Sequence, residues 1–347
     1  MTTAFVLSGG GSLGAVQVGM LQALSERGVQ PDLLVGTSAG AINAAFVAGH
    51  GMSSEALQSL AGLWRSMRRR DIFAVQPLRG LLAVAGVRPS LFTAEPLRRL
   101  IGANLGYHEI LDSLIELHLI TTDLLSGRAV LLSSGDAASA VVASAAIPGV
   151  FPPVCREGRM LIDGGIAEHT AIRHAVDHGA DEVYLLPAGF PCALATPPTT
   201  AVGVALQALT LLSQQQLIGE VAGYVGPAKL KVLPPLCPLK VSAADFSHAD
   251  QLITRAKEAT GVWLDGGGPD LPMPQQFLSM HDHTRLPRRD PARQPAGALP
   301  SQASGQVAAV AGFTTSRSRG ANDENRSHGW VREARENGRE GADRGRT

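Results

Sequence analysis

The stretch LLVGTSAGAI, residues 33–42, decides the fold, because a short apolar strand runs directly into a helix of small and apolar residues. Its centre has the pattern G-x-S-x-G, with Gly36 and Gly40 two residues before and after Ser38, and Thr37 within the turn. In this pattern the serine occupies a sharp, strained turn, and the glycines leave room for neighbouring backbone. The stretch therefore predicts a serine hydroxyl that projects from the edge of a sheet.

Two interpretations of Ser38 follow from the pattern. As a nucleophile, Ser38 would have the N–H of Ala39 beside it, and one such donor to an oxyanion typically lowers the activation barrier by about 3 kcal/mol. As a helix N-cap, its hydroxyl would only accept a backbone hydrogen bond. The strand before the turn and the buried helix after it favour the nucleophile.

A second glycine-rich turn, SGGGSLG at residues 8–14, also follows a strand and opens a helix. Backbone N–H groups at a helix N-terminus attract an anion. That anion is either a dinucleotide phosphate or the oxyanion of an acyl-transfer intermediate, and a tight turn without a ligand is the third interpretation. Dinucleotide binding needs an acidic residue after the next strand, whereas Asp32 precedes that strand.

The first 270 residues alternate between short apolar strands and helical patterns. This alternation is typical of a parallel sheet covered by helices, that is, an α/β fold. We predict strands over 4–8, 33–36, 117–121, 129–133, 159–162 and 182–187, and helices over 14–27 and 39–48.

A serine nucleophile needs a base to take its proton. The histidines at 169, 174 and 178 are spaced over a predicted helix and fit its surface or cap. Asp163 follows the predicted strand over 159–162 and precedes two glycines. Ligand sites of open parallel sheets gather at the carboxyl ends of the strands, which makes Asp163 the better candidate base. Its other interpretation is a turn aspartate.

Composition excludes several classes of protein. The chain has 347 residues, 45% hydrophobic and 17% charged, and its formal net charge is zero, which argues against a general nucleic-acid binder. Its three cysteines form no CxxC pair, which argues against a structural zinc site or a disulfide framework. The N-terminus lacks the basic start of a signal peptide, and glutamines interrupt the apolar segment 199–218. We expect a soluble, cytoplasmic protein that can contact a membrane surface.

Residues 285–347 differ in composition from the rest. They contain 12 Arg, no Lys and 7 acidic residues, and they are rich in Pro, Gly, Ser, Gln and Asn. Such a segment cannot bury enough apolar area to offset its ordering entropy, so we predict one folded domain over 1–284 and a disordered tail over 285–347. The tail is either solvated or in contact with anionic lipids.

Three other features have two interpretations each. Arginines at 65, 68, 69 and 70 follow Trp64 and form either a solvated helix end or a contact for lipid phosphates, with Trp64 at the interface. The apolar segment 78–91 is either core or a cover over the site. Asp123 either caps a turn or braces the edge of the site.

Taken together, the motifs resemble the patatin-like phospholipase family. The resemblance rests on GGGSLG at 9–14, GTSAG at 36–40, TDLLSG at 122–127, ASAAIPGVFPP at 143–153 and DGG at 163–165, in this order. Together they cover roughly residues 4 to 265. The order of the motifs is far more specific than any one of them.

The resemblance implies a three-layer α/β/α fold with a mostly parallel sheet, and a Ser38–Asp163 dyad that hydrolyses acyl ester bonds of lipids. It further implies that Gly164 and Gly165 form the turn after the base, and that no metal or cofactor takes part. The oxyanion hole would be built from the first glycine turn and the elbow, namely Gly9, Gly10, Gly11, Ser12, Gly14 and Ala39.

Two rival functions remain: acyl transfer to an acceptor other than water, and a non-catalytic lipid-binding module. The chain departs from the family after DGG, where Glu168 and His169 stand at positions that often carry asparagine, and Thr170 replaces a proline. This departure affects the orientation of Asp163 and the substrate range. It also leaves His169 as a second candidate base.

Overall fold

The computed structural model describes residues 1–68, 72–73, 87–167, 171–271, 278–281 and 283, with backbone alone at 201 and 202. Its centre is an eight-stranded sheet. The strands are β1 (Thr3–Leu7), β2 (Leu33–Thr37), β3 (Glu116–Asp123), β4 (Ala129–Leu132), β5 (Val154–Arg156), β6 (Arg159–Asp163), β7 (Glu182–Leu186) and β8 (Lys229–Val232). Strands β3, β2, β1, β7 and β8 are parallel neighbours in that order.

Helices cover both faces of this sheet. They are α1 (Gly14–Ser25), α2 (Ala39–His50), α3 (Ser54–Ser66), α4 (Glu95–Asn104), α5 (Ala137–Ser144), α6 (Ile172–Asp177), α7 (Ala201–Ala222) and α8 (Ala249–Asp265). Phe5 and Leu7 of β1 pack in the core that includes α1, α2, α3 and α8, whereas Ala4 and Val6 pack in the core on the other face, with α6 and α7. The molecule is thus the three-layer α/β/α fold predicted from the sequence.

The predicted elements agree with the structure to within one or two residues at each end. Helix α1 ends at Ser25 and not at 27, because a turn follows and Gly28 adopts a left-handed φ of 70°. Helix α2 is buried as predicted, and β3 and β4 pair in antiparallel fashion. The predicted tail, and so the domain boundary at 284/285, lies outside the described residues and stays a prediction.

Strand β6 corrects the reasoning about Asp163. It pairs with β3 in antiparallel fashion, so Asp163 does not lie at the carboxyl end of a parallel strand. Its position has another cause. Residues 119–122 of β3 pair with β4, residues 116–120 with β2 and residues 121–123 with β6. Since a strand has only two edges, β2 and β6 must share the edge that β4 does not use.

The two strands on this shared edge meet end to end. Thr37, the last residue of β2, lies opposite Ile120, and Asp163, the last residue of β6, lies opposite Thr121. One residue step along β3 therefore separates the strand that leads into Ser38 from the strand that ends in Asp163. Among the described residues, no helix has both the length and the apolar character that a bilayer-spanning segment requires.

Candidate active site

Ser38 forms a strained elbow between β2 and α2. Its φ of 54° and ψ of −118° are unusual for a residue with a side chain. The flanking glycines are required by close contacts: a Cβ at Gly36 would lie 2.7 Å from the Cα of Ala41, and one at Gly40 would overlap the carbonyl oxygen of Leu7. The backbone around Ser38 therefore has room for the G-x-S-x-G pattern and for little else.

The hydroxyl of Ser38 donates a hydrogen bond of 2.6 Å to Oδ2 of Asp163. The other carboxylate oxygen, Oδ1, accepts a hydrogen bond of 2.9 Å from the N–H of Gly165. Both side chains are nearly buried, with each residue 7% exposed. The turn after Asp163 thus orients the carboxylate so that one oxygen faces the hydroxyl of Ser38.

Burial raises the pKa of Asp163 from 3.8 to about 6, while the hydrogen bonds from Ser38 and Gly165 oppose the shift. The cause is the loss of solvation of the charged form. A carboxylate with a pKa near 6 is a stronger base than an exposed one and is still deprotonated at neutral pH.

Ser144 and Thr122 hold this pair in place, and neither role was predicted from the sequence. The hydroxyl of Ser144 accepts the N–H of Ser38 at 2.9 Å and donates to the carbonyl oxygen of Ile120 at 2.6 Å. The hydroxyl of Thr122 donates to the carbonyl oxygen of Asp163 at 2.8 Å. The only signal in the sequence was their place within the motifs at 143–153 and 122–127.

The first glycine turn and the dyad line one cavity. Gly9, Gly10 and Gly11 line it together with Ser38 and Ala39. Among the described residues, the N–H groups of these three glycines have no hydrogen-bond partner. They are therefore available to an anion in the cavity.

Two predicted members of the oxyanion hole are corrected. The N–H of Ser12 already donates to the carbonyl oxygen of Ala243 at 2.8 Å, and its hydroxyl donates to that of Ser242 at 3.0 Å. The N–H of Gly14 is bonded within the first helical turn. Both residues hold the loop in place and do not offer donors to the cavity.

A buried polar network supports the glycine turn from behind. Gln17 donates to the carbonyl oxygens of Ser8 and Leu186 at 2.8 and 2.9 Å. Asn43 joins Gln17 to Trp64: it donates to Oε1 of Gln17 at 2.8 Å and accepts from the indole N–H at 2.7 Å. Trp64 is 1% exposed, so its predicted place at a lipid interface is wrong. The signal for Gln17 and Asn43 was an amide inside an otherwise apolar helix.

Apolar side chains form most of the cavity wall. They come from α2, α3, α4, α7 and the intervening loops, and include Ile42, Met67, Leu97, Phe151, Leu206, Leu209 and Phe246. The polar side chains on the wall are those of the dyad and, on α7, those of Thr210, Ser213 and Gln214. No histidine lines the cavity in the described part of the chain.

The remaining predicted features lie apart from the dyad or outside the described residues. Arg65 pairs with Asp250 at 2.7 Å, as a helix-surface cation would. Asp123 accepts the N–H groups of Leu125 and Ser126, which confirms it as a turn cap. Residues 69–70, 78–86 and 168–170, with His169, lie outside the described residues.

A second cluster of reactive side chains contradicts the argument from cysteine spacing. Cys192, Cys237, His281 and His283 bring one ligand atom each to within 4.8 Å of the others. Only Cys155 of the three cysteines lies outside the cluster. Segments that are distant in the sequence bring these four side chains together without a CxxC pair.

The fold and the dyad define an α/β protein with a serine–carboxylate pair beside a glycine-rich turn. Residues 5–176 match the family model described as Patatin-like phospholipase. The chain belongs to this family, as its motifs predicted.

Named relatives and solved structures also match. The chain is 32% identical over 191 residues to lysophospholipase nte1 of Aspergillus terreus, and 30% identical over the same length to lysophospholipase NTE1 of Pyricularia oryzae. Each match covers 53% of this chain and 12% of the relative. The chain therefore spans only a small part of these relatives.

Two solved structures are also similar to part of the chain. VipD from Legionella pneumophila is 15% identical with a TM-score of 0.40, over 76% of this chain and 67% of VipD. ExoU of Pseudomonas aeruginosa, solved with SpcU, is 19% identical with a TM-score of 0.34, over 77% of this chain and 53% of the other. Likenesses of this size are too distant to inform function.

Proposed function

We propose that this protein is a serine acyl hydrolase that cleaves acyl ester bonds of lipids through a Ser38–Asp163 dyad and an acyl-enzyme intermediate. The single observation that carries the proposal is the 2.6 Å hydrogen bond from the Ser38 hydroxyl to a buried carboxylate whose pKa is raised to about 6. A hydroxyl in such a contact can lose its proton as it attacks a carbonyl carbon.

In the acylation step, Oγ of Ser38 bonds to the ester carbonyl carbon while its proton passes to Oδ2 of Asp163. The negative charge moves to the former carbonyl oxygen, where the N–H groups of Gly10 and Gly11 and that of Ala39 can donate to it. Collapse of this tetrahedral intermediate breaks the carbon–oxygen bond of the ester. The proton on Asp163 then passes to the leaving alkoxide, which departs as an alcohol.

In the deacylation step, water replaces the alcohol. Asp163 takes a proton from water as the hydroxide adds to the acyl carbon, and the same N–H groups stabilise the second tetrahedral intermediate. Its collapse releases the fatty acid and returns the proton to Oγ of Ser38. The amides that lack partners supply the positive potential for both intermediates.

The cavity supports a lipid acyl chain as the substrate. Its wall is mostly apolar, so a long acyl chain can lie along it with its ester beside the dyad. The names of the fungal relatives point to lysophospholipids, which carry one acyl chain.

Helix α7 supports contact with a lipid surface. Leu206 and Leu209 line the cavity, whereas Val204 and Leu212 on the same helix are 54% and 61% exposed. A helix that is apolar on several sides can sit against lipid while one side covers the acyl chain. We infer a peripheral contact between this helix and the membrane that holds the substrate.

Labelling with a fluorophosphonate, followed by peptide mass spectrometry, tests the serine mechanism. We expect one modified residue, Ser38, and no labelling of Ser38→Ala. Ser139→Ala is the matched control, because Ser139 lies in a helix near the site without contacting the dyad. Labelling of a different serine would overturn the proposal, and a protein that binds lysophospholipid vesicles without labelling would be a non-catalytic module.

A product assay separates hydrolysis from acyl transfer. With lysophosphatidylcholine as the substrate, we expect free fatty acid at a rate that does not depend on added alcohols. A rate that depends on the added acceptor, with the acyl group found on it, would identify a transferase.

A further inference from the structure

We propose that Cys192, Cys237, His281 and His283 form a structural site for one zinc ion, distinct from the catalytic cavity. Each residue offers one ligand atom, and all four atoms lie within 4.8 Å of one another. Two thiolates and two imidazoles are a common ligand set for structural zinc. None of the four side chains lines the cavity beside Ser38.

The distances fit a tetrahedral ion. Sγ of Cys237 lies 3.0 Å from Nε2 of His281 and 3.0 Å from Nε2 of His283. Around zinc, with bonds of about 2.3 Å to sulfur and 2.0–2.1 Å to nitrogen, neighbouring ligand atoms lie about 3.3–3.8 Å apart. Around the ion, the two 3.0 Å contacts would open by about half an ångström, and the widest separation in the cluster, up to 4.8 Å, would close by about one ångström.

Two further hydrogen bonds prepare these atoms as ligands. Nδ1 of His281 lies 2.8 Å from the carbonyl oxygen of Ser279, a contact that requires a proton on Nδ1 and leaves the lone pair on Nε2, facing Cys237. The N–H of Leu239 donates to Sγ of Cys192 at 3.3 Å, which stabilises a thiolate. Outer partners of this kind orient the ligands of protein metal sites.

The charges also balance. When Zn²⁺ binds, the two thiols lose their protons to solvent, and the two thiolates cancel the charge of the ion while the imidazoles stay neutral. Cys192 is buried, so a neutral complex avoids leaving an unpaired charge in the interior. The preference for sulfur and imidazole ligands excludes Mg²⁺ and Ca²⁺, which prefer oxygen.

The ion would connect three segments. Cys192 follows β7, Cys237 follows β8, and the two histidines lie near the end of the described chain. The first two segments also touch the glycine turn: the N–H of Ala188 donates to the hydroxyl of Ser8 at 3.0 Å, and Ala243 accepts the N–H of Ser12. Zinc at this position would link the two segments that contact the glycine turn. It would stabilise the fold without taking part in the reaction.

Metal analysis of the full chain, produced without a histidine tag, tests the site. We expect about one zinc ion per chain by mass spectrometry of the metal. We also expect that Co²⁺ substituted for zinc will show the strong visible absorption of a tetrahedral site and a thiolate charge-transfer band. Loss of an outer partner alone costs about 10–100-fold in metal affinity, so His283→Gln should weaken Co²⁺ binding by at least about that factor.

Matched variants separate this site from adventitious binding. Cys237→Ser should lose the charge-transfer band or halve it, whereas Cys155→Ser and His108→Gln should bind as the unmodified protein does. If Cys237→Ser does not fold, Co²⁺ titration of His283→Gln decides alone, since this change keeps both thiols.

Three results would overturn the proposal. They are the absence of bound zinc and of a Co²⁺ spectrum in folded protein, equal metal content in the Cys237 and Cys155 variants, and a Cys192–Cys237 disulfide in protein purified without reductant. None of these results bears on fluorophosphonate labelling of Ser38, so the two proposals fail separately.

Discussion

The dyad and the cysteine–histidine cluster keep their geometry by opposite means. Ser38 and Asp163 lie at the ends of two strands on one edge of β3, and both oxygens of Asp163 have protein partners. The cluster lies on loops and on the segment with His281 and His283, and its four ligand atoms lie within 4.8 Å of one another.

This difference indicates which site depends on a ligand. The dyad is complete as a hydrogen-bonded unit, so it needs no ion to hold its shape. Four converging donors of electron pairs repel one another unless a proton or a cation lies between them. A preorganised pair such as Ser38–Asp163 and a structural site that depends on a metal ion can therefore exist in one fold. Variants at one of them should leave the other unchanged.

Asp163→Asn should have the largest effect. The amide cannot take the proton of Ser38, so ester hydrolysis should fall by about 10²–10⁴-fold. At pH 7 the same change removes a buried charge, so the melting temperature should equal or exceed that of the unmodified protein. Kinetics with a soluble ester and thermal melts check both expectations. A stable variant with full activity would move the base to another residue, His169 first.

Gly40→Ala tests whether tight backbone packing holds the elbow. A Cβ there would overlap the carbonyl oxygen of Leu7, so we expect a loss of at least about 2 kcal/mol in the free energy of unfolding. Gly62 in α3 has nothing within 4 Å of an added Cβ, and Gly62→Ala should stabilise the protein by about 0.5–1 kcal/mol. Denaturant melts compare the two, and equal stabilities would contradict the packing argument.

Ser144→Ala should have an intermediate effect. It leaves the N–H of Ser38 and the carbonyl oxygen of Ile120 without their buried partner, which costs about 1–3 kcal/mol of stability. The elbow should also become less well defined, so kcat should fall more than KM rises. Ser139→Ala, in the same helix, should change stability by less than about 0.5 kcal/mol. An unchanged kcat in Ser144→Ala would limit this serine to a role in folding.

A change of pH should have a smaller, graded effect on kcat/KM and on stability. As the proposed base, Asp163 acts only when deprotonated, so kcat/KM should rise with pH up to about 6 and should fall about tenfold per unit below it. Because folding raises this pKa from 3.8 to about 6, protonation favours the folded state. Its contribution to stability is full below about pH 4 and is lost as the pH rises through about 6. Melts of the unmodified protein and of Asp163→Asn across this range measure the difference, and a gap that widens with pH in favour of the unmodified protein would contradict it.

The smallest expected effect is that of the cluster on the reaction. If the two sites are independent, folded Cys237→Ser or His283→Gln should be labelled by a fluorophosphonate at about the rate of the unmodified protein, within about threefold. Their melting temperatures should fall where that of Cys155→Ser does not. A labelling rate that follows the zinc content would show that the cluster acts on the glycine turn and not on stability alone.

The dyad could be predicted from the sequence because the crowded backbone around Ser38 requires glycines at fixed positions beside it. Gly36 and Gly40 are glycines because other atoms occupy their Cβ positions, and that constraint stands beside Ser38 in the chain. Asp163 does lie beside Ser38, but the argument from parallel strands was wrong, because a short apolar pattern does not reveal the direction of the neighbouring strand.

Strand β8, helix α7 and the cysteine–histidine cluster have no recognisable pattern in the sequence. Strand β8 has four residues, and α7 is apolar on several sides, so neither shows a clear period. The cluster joins residues that are 44 and 46 positions apart, and only the folded chain brings them together. The two cysteines lie 45 positions apart, so a rule based on the spacing of close cysteine pairs does not detect the cluster.

The shared edge of β3 has a consequence for how the protein tolerates change. The separation of Ser38 and Asp163 depends on a single step between Ile120 and Thr121, so an insertion there would move Asp163 by about 3.3 Å and reverse the face of the strand. An insertion in the turn at 124–128 would leave that step intact. Lengthening this exposed hairpin offers a way to graft new recognition surfaces while the chemistry stays in register.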